Sequence, residues 1–157
     1  KRTRDRYTTP PGYSGVDTLF NIDEASKEEE VVICEGVFSA LSVGRDAVAT
    51  FGNKISLGQI ELLRSRGVRN VCLCHDPDSW KTPKSSHAKS RPVPSVASAQ
   101  KLLGKFDRVR VARLHGGDPD ELGTDRVRAY LKEAPTIECK ADLATLQLKN
   151  GDVNDGD

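Results

Sequence analysis

The sequence predicts an α/β fold, a mainly parallel four-stranded sheet flanked by helices. Three observations carry that expectation. Short apolar runs alternate with stretches of helical spacing, which implies right-handed crossovers between parallel strands. The runs at Val31–Cys34 and Val71–Cys74 are apolar throughout, the first as expected of a strand covered on both faces. Each of these runs leads directly into carboxylates, Glu35-Gly36 after the first and Asp76-Pro77-Asp78 after the second. Sites in open parallel sheets form outside the carboxyl ends of the strands. If the two strands lie side by side, three carboxylates meet at one sheet edge.

Taken in order, residues 1–20 read as irregular, with a basic start and the turn-rich Thr8-Thr9-Pro10-Pro11-Gly12. Asp23 to Glu30 is acidic and reads as a short helix. After Val31–Cys34, Gly36 permits a tight strand-to-helix turn. Val37, Phe38, Ala40, Leu41 and Val43 can then form one buried side of a helix ending near Gly44. Ala47–Phe51 is the second strand, closed by Gly52-Asn53. Ser56 and Gln59 form a capping-box pattern that starts a helix, with Leu57, Ile60 and Leu63 at helical spacing and Gly67 at its end. Val68–Cys74 is the third strand. Ser79 to Pro94 is polar and basic and carries three prolines, Pro83, Pro92 and Pro94, so it reads as a long loop. A helix from about Ser95 places Val96, Ala99, Leu102 and Leu103 inward and closes at Gly104. Val109–Leu114 alternates, as expected of a strand nearer an edge. A Gly-rich turn at His115-Gly116-Gly117 leads to Asp118-Pro119-Asp120-Glu121, a good helix start, and a helix follows from Thr124 to Glu133. Residues 136–149 fit a strand or a helix, and residues 151–157 read as a disordered acidic tail.

The 157 residues suffice for one domain, and 36% apolar against 30% charged describes a charged composition with a modest core. No run approaches the roughly 18 apolar residues of a membrane span, and no secretory signal opens the chain. The net charge of +1 says little, but its distribution says more. From Ser79 to Arg113 the charged residues are basic except for Asp107, which suits a polyanion approaching an acidic site. The cysteines form no CxxC pair; Cys34, Cys72 and Cys74 sit within apolar strand runs, where cysteine behaves as a small hydrophobe. A zinc site with His75 or His115 lacks the usual ligand spacing, and reduced thiols in a cytoplasmic protein fit better.

Carboxylates gathered at one strand-end crevice repel each other unless a cation is shared. Hard cations such as Mg²⁺ take oxygen ligands, and a pair of them can serve the attacking and leaving oxygens of phosphoryl transfer. Formation, cleavage and transfer of phosphodiesters all use that arrangement, so the carboxylates alone do not name the reaction. Against it stand plainer roles: Asp76-Pro77-Asp78 as an Asx-turn, Asp118 as a helix cap with Glu121 completing a capping box. His75 is expected to pack on the opposite strand face, and Trp80 to anchor the root of the loop rather than stack on a base.

The motifs in sequence order resemble a Toprim domain, the metal-binding fold of bacterial-type primases, topoisomerases and some nucleases. VVICEGVFSAL at 31–41 resembles the primase strand-glutamate-glycine-helix signature, and AVATFGNKIS at 47–56 the segment that follows it. CLCHDPDS at 72–79 resembles the DxD strand end, and RLHGGDPDELG at 113–123 the later primase segment. YTTPPGYSGVDTLFNIDEA at 7–25 resembles the connector from a preceding primase subdomain. The resemblance implies residues 1–25 as connector, 26–134 as Toprim domain with a basic insertion at 79–94, and 135–157 as a C-terminal extension.

What the resemblance implies is metal-dependent nucleotidyl transfer, RNA primer synthesis on single-stranded DNA for replication. Glu35, Asp76 and Asp78 would be catalytic. With Asp118 and Asp120 they would hold Mg²⁺ or Mn²⁺. Lys54, Lys81, Lys84, Lys89 and Arg91 would contact nucleotide or nucleic acid. The partners implied are a single-stranded DNA template, the RNA–DNA product, ribonucleoside triphosphates and a replicative helicase, with no membrane. As a fragment of a catalytic core, the chain would be inactive alone. Three departures mark a divergent primase of phage or mobile-element type: Ser39 where an acid is usual, Gly117 where a lysine is common, and the insertion after the DxD. The alternatives are a Toprim-type metal-dependent nuclease and a degenerate, non-catalytic nucleic-acid-binding module. A topoisomerase would need a tyrosine nucleophile, for which Tyr7, Tyr13 and Tyr130 offer no context.

Overall fold

The computed structural model describes residues 14–81 and 92–148. Residues 1–13, the candidate contacts Lys84, Lys89 and Arg91, and the acidic tail lie outside the described residues. The chain runs α1 (Ile22–Ala25), β1 (Val31–Cys34), α2 (Val37–Val43), β2 (Ala47–Ala49), α3 (Leu57–Ser65), β3 (Asn70–Leu73), a 3-10 turn (Pro77–Trp80), α4 (Pro94–Leu102), β4 (Arg108–Val111), α5 (Pro119–Leu122), α6 (Thr124–Glu133) and α7 (Lys140–Leu148). The four strands form one sheet in the order β2-β1-β3-β4, and every neighbouring pair is parallel. The α/β class is as the sequence predicts, and the first and third strands do lie side by side, the condition on which the three carboxylates meet.

Side-chain alternation divides the core between the two sheet faces. Val31, Ile33, Val71, Leu73, Val109 and Val111 pack on one face against Ile60 and Leu63 of α3, Leu102 of α4 and Leu143 of α7. Val32, Cys34, Cys72 and Cys74 pack on the other against Ala40 and Val43 of α2 and Val127 and Leu131 of α6. The sequence is continuously apolar at β1 because both faces are covered. β4 alternates because Arg108 and Arg110 emerge at the sheet edge, where Arg110 makes a two-pronged ion pair with Glu30 at 3.0 and 2.9 Å. That edge is not bare: Val111 donates to the Pro135 carbonyl and Ile137 to the Val109 carbonyl.

Several local expectations are corrected. The helix expected over 23–30 is only Ile22–Ala25; beyond it Glu28 pairs with Arg45 and Glu30 with Arg110. α2 buries Ser39, Ala40 and Val43, whereas Phe38 and Leu41 are exposed. A two-turn helix can turn only one stripe to the sheet, and here that stripe carries Ser39, Ala40 and Val43. Of the three residues at helical spacing in α3, Ile60 and Leu63 are buried, while Leu57, its first residue, is exposed. β2 stops at Ala49 because Phe51 takes a left-handed backbone, φ +61°, that a strand cannot use. The stretch 136–149 contains both alternatives, an isolated bridge from Thr136 to Arg110 and then helix α7. Among the described residues no helix is long and apolar enough to cross a membrane.

Candidate functional site

The parallel β1 and β3 deliver their following residues to the same edge. Ile33 pairs with Leu73, and the Cys74 N–H donates to the Ile33 carbonyl at 2.8 Å, extending the ladder to the residue before His75. One step on, Glu35 Oε1 accepts the backbone N–H of Asp76 at 3.1 Å. Gly36 caps α2 with extended backbone, so the chain turns away sharply and leaves the Glu35 side chain at the sheet edge. Pro77 at the first position of the 3-10 turn does the same for Asp76. Asp118 arrives from the loop after β4 as the N-cap of α5, its N–H donating to Glu121 Oε2 at 3.1 Å. Glu35, Asp76, Asp78 and Asp118 thus line one cleft of about 340 Å³, together with Gly52, Asn53 and Ser79.

Packing four acids together raises the proton affinity of the inner ones. Burial, then the charges of Glu35, Asp118, Asp120 and Asp78, push the Asp76 carboxyl up to about 7. Burial also raises Glu35, opposed by hydrogen bonds from the Ser79 hydroxyl and the Asp76 N–H. Asp118 is raised by burial and by Glu121, Asp120 and Asp78. Asp76 Oδ1 is buried with no hydrogen-bond partner. A buried, unpartnered carboxylate oxygen among like charges is costly unless a cation shares the space. The donor set, all carboxylate oxygen, fits a hard divalent cation. Among the described residues, no three His, Cys, Asp or Glu side chains are grouped as ligands around one point.

The remaining candidates fall differently. Asp78 is largely exposed and its Oδ1 is 2.6 Å from Lys81 Nζ. Lys81, expected to contact phosphate, is therefore engaged with one of the candidate acids. Asp120 is exposed and does not line the cleft, though its charge reaches Asp76. Lys54 is exposed and follows Asn53 without lining the cleft itself. Trp80 is buried and carries the Arg113 guanidinium 4.9 Å above its ring, so it anchors the root of the insertion as expected. Gly117 leaves room for the Glu121 cap, since a Cβ there would lie 2.8 Å from Glu121 Oε2; a lysine at this position would displace it.

Sequence reasoning missed Gly52, Asn53 and Ser79, although the first two follow a strand end and the same strand-end rule covers them. His75 packs on the opposite strand face as expected, fully buried against α4 with Nδ1 3.2 Å from Ser95 Oγ; what the sequence did not show is that Nδ1 also lies 3.8 Å from Glu35 Oε1. Burial lowers its pKa to about 3, so the imidazole is neutral.

No protein-family model and no curated protein sequence matches the chain. Solved structures do match. The fold is similar to the zinc-binding and RNA polymerase domains of the Aquifex aeolicus primase, with a TM-score of 0.62 and 18% identity over 90% of this chain and 37% of that one. It is similar to a DNA primase domain from Pseudomonas aeruginosa, with a TM-score of 0.62 and 22% identity over 94% of this chain and 47% of that one. A DnaG primase catalytic domain bound to single-stranded DNA gives a TM-score of 0.58 and 18% identity over 87% of this chain and 44% of that one. The chain spans less than half the length of these structures. At such identities the likeness is one of architecture: the chain has the fold of bacterial DNA primase catalytic domains.

Proposed function

We propose that this chain is the Toprim, metal-binding part of a primase catalytic core that makes RNA primers on single-stranded DNA. The observation that carries the reading is the Glu35–Asp76 contact, with Asp76 Oδ1 buried and unpartnered, at the strand ends of a primase fold. Glu35, Asp76 and Asp118 would hold Mg²⁺ or Mn²⁺, with Asp78 and Asp120 adding negative charge at the rim. The cation, when bound, supplies Lewis-acid charge for phosphoryl oxygens and the departing pyrophosphate. As a cation ligand, Glu35 would also orient the Asp76 loop through the backbone N–H it accepts. Ser79 holds Glu35 in place. Template, RNA–DNA product and ribonucleoside triphosphates are the ligands, a replicative helicase is the partner, and the cytoplasm is the location.

The test uses the protein containing this chain, single-stranded DNA, ribonucleotides and Mn²⁺ or Mg²⁺. New RNA that disappears with Asp76→Ala supports primer synthesis. Shortened nucleic acid without synthesis means a nuclease built on the same carboxylates. DNA binding that ignores metal, with neither product, means a non-catalytic module.

A further inference from the structure

We propose that the buried Gln59 is a positioning residue: it locks the segment Gly15–Phe20 to the wall of the cleft, so that the seating of this segment sets the backbone at Thr50 and at the residue before Glu35. The coupling is a property of the chain itself and holds with or without a cation in the cleft.

Gln59 is 1% exposed and lies in the first turn of α3. Its amide has one orientation, because Oε1 accepts the Ser56 N–H at 3.0 Å and Nε2 then faces the other way. Nε2 lies 2.8 Å from the Gly15 carbonyl, 2.9 Å from that of Thr18 and 3.0 Å from that of Thr50. Two N–H groups thus serve three carbonyls, from two stretches far apart in sequence. Capping α3 needs only Oε1, so the cap does not account for these contacts.

Each side of the junction is built for a close fit. On the segment side, Ser56 Oγ bonds the Val16 carbonyl. The chain passes so near α3 that a Cβ on Gly58 would lie 2.9 Å from that same carbonyl and would overlap the Asp17 carboxylate. The segment then runs along the outer edge of β2. There the Phe20 N–H donates to the Ala49 carbonyl at 3.1 Å, and the Asn21 amide to the carbonyls of Arg45 and Ala47 at 3.0 Å each. On the cleft side, Thr50 is buried, and its N–H and hydroxyl both reach the Cys34 carbonyl, at 3.0 and 3.1 Å. Cys34 directly precedes Glu35. The same hydroxyl lies 2.6 Å from the carbonyl of Gly52, which lines the cleft.

A continuous line of hydrogen bonds therefore runs from Gly15 and Thr18 through Gln59 and Thr50 to the backbone that carries Glu35 and Gly52. Buried polar networks hold one arrangement when every member is satisfied, and a carbonyl that loses its donor in such a place is costly. Displacing the segment withdraws two of the three acceptors that hold the Gln59 amide in place. The amide then no longer fixes Thr50. By the same linkage, a cleft wall that loosens releases the segment.

Site-resolved amide hydrogen exchange of the metal-free chain tests this. The reporters are the N–H groups of Phe20 for the segment, Thr50 for the cleft wall, and Cys74, bonded to the Ile33 carbonyl, for the sheet. Gly58→Ala presses on the segment alone, since residue 58 does not line the cleft. Alanine is also the better helix former, so a change in the helix by itself gives no loosening. Phe20 and Thr50 both exchange about tenfold faster in Gly58→Ala, while Cys74 keeps the parental rate. Gln59→Leu keeps the bulk and removes the amide; it gives at least the same rise at both positions, and the double variant adds little to it. Thr50 exchange at the parental rate in Gly58→Ala overturns the proposal, whether or not Phe20 is released. So does an equal rise at Cys74, which means that the whole fold is weakened. If Gln59→Leu does not fold, Gly58→Ala decides alone. None of these rates involves Mn²⁺, so the result stands apart from the cation reading.

Discussion

Glu35 Oε1 and the backbone N–H of Asp76 are joined at 3.1 Å across 41 residues of sequence. This bond fixes the ends of the two central strands to each other. It also brings the glutamate carboxylate beside the aspartate at the point where both are least solvated. The sheet contributes the register and the two sharp exits, at Gly36 and Pro77, expose the side chains.

This closeness has a cost that pH reveals. The folded-state pKa of Asp76, about 7, lies above its ordinary value of 3.8, so between these pH values the folded chain holds a proton that the unfolded chain releases. Its contribution to stability therefore falls as pH rises from about 4 to 7. His75 acts in the opposite sense. Its folded value of about 3 lies below 6.5, so its contribution rises with pH over that interval. The two oppose each other in the metal-free parent, and the raised Glu35 and Asp118 act in the same sense as Asp76. Urea denaturation between pH 4 and 8 separates them. Stability rises with pH in Asp76→Asn and falls with pH in His75→Phe. At pH 8 and without metal, Asp76→Asn is more stable than the parent by about 1–2 kcal/mol, a figure discounted for the solvent reaching this carboxylate.

Ser95 is the hydrogen-bond partner of the fully buried His75 among the described residues, and His75 Nε2 has none. Ser95→Ala leaves the ring without a partner on either nitrogen. The expected loss is about 1–3 kcal/mol, read from the denaturation midpoint at constant slope.

Trp80 and Arg113 tie the residues after Asp78 to α7, because Arg113 stacks on the Trp80 ring and also bonds the Leu146 carbonyl. Trp80→Ala destabilises by about 3–4 kcal/mol through the lost buried ring. Arg113→Ala costs about 1 kcal/mol by loss of the stacked cation. Trp80 is the only tryptophan, so its fluorescence in the parent chain is blue-shifted when folded and shifts red in a single step with unfolding.

The sheet was legible because β1 and β3 announce themselves: continuous apolar runs with glycine or proline directly after the acids. The meeting of Glu35, Asp76 and Asp78 followed from their position after two strand ends, whereas Asp118, which arrives from the loop after β4, came only with the resemblance. What stayed hidden depends on packing rather than pattern. In α2 the serines Ser39 and Ser42 and the apolar residues do not divide into a polar and an apolar face, so the pattern did not say that Phe38 and Leu41 face out while Ser39 faces in. The left-handed turn at Phe51 has no glycine to mark it. The place of His75 beneath Glu35 depends on Ser95, which lies 20 residues away in α4. Asp78 and Asp120 have the right spacing, but one is drawn to Lys81 and the other is left at the rim by the short α5.

The central claim is that the Glu35–Asp76 cleft holds a divalent cation. Titration of the metal-free chain with Mn²⁺ at pH 8, where Asp76 is ionised, tests it most directly. Mn²⁺ binds the parent and raises its unfolding midpoint by mass action, and Asp76→Asn weakens binding about tenfold or more. Equal Mn²⁺ affinity in the parent and Asp76→Asn, with no change in either midpoint, contradicts it.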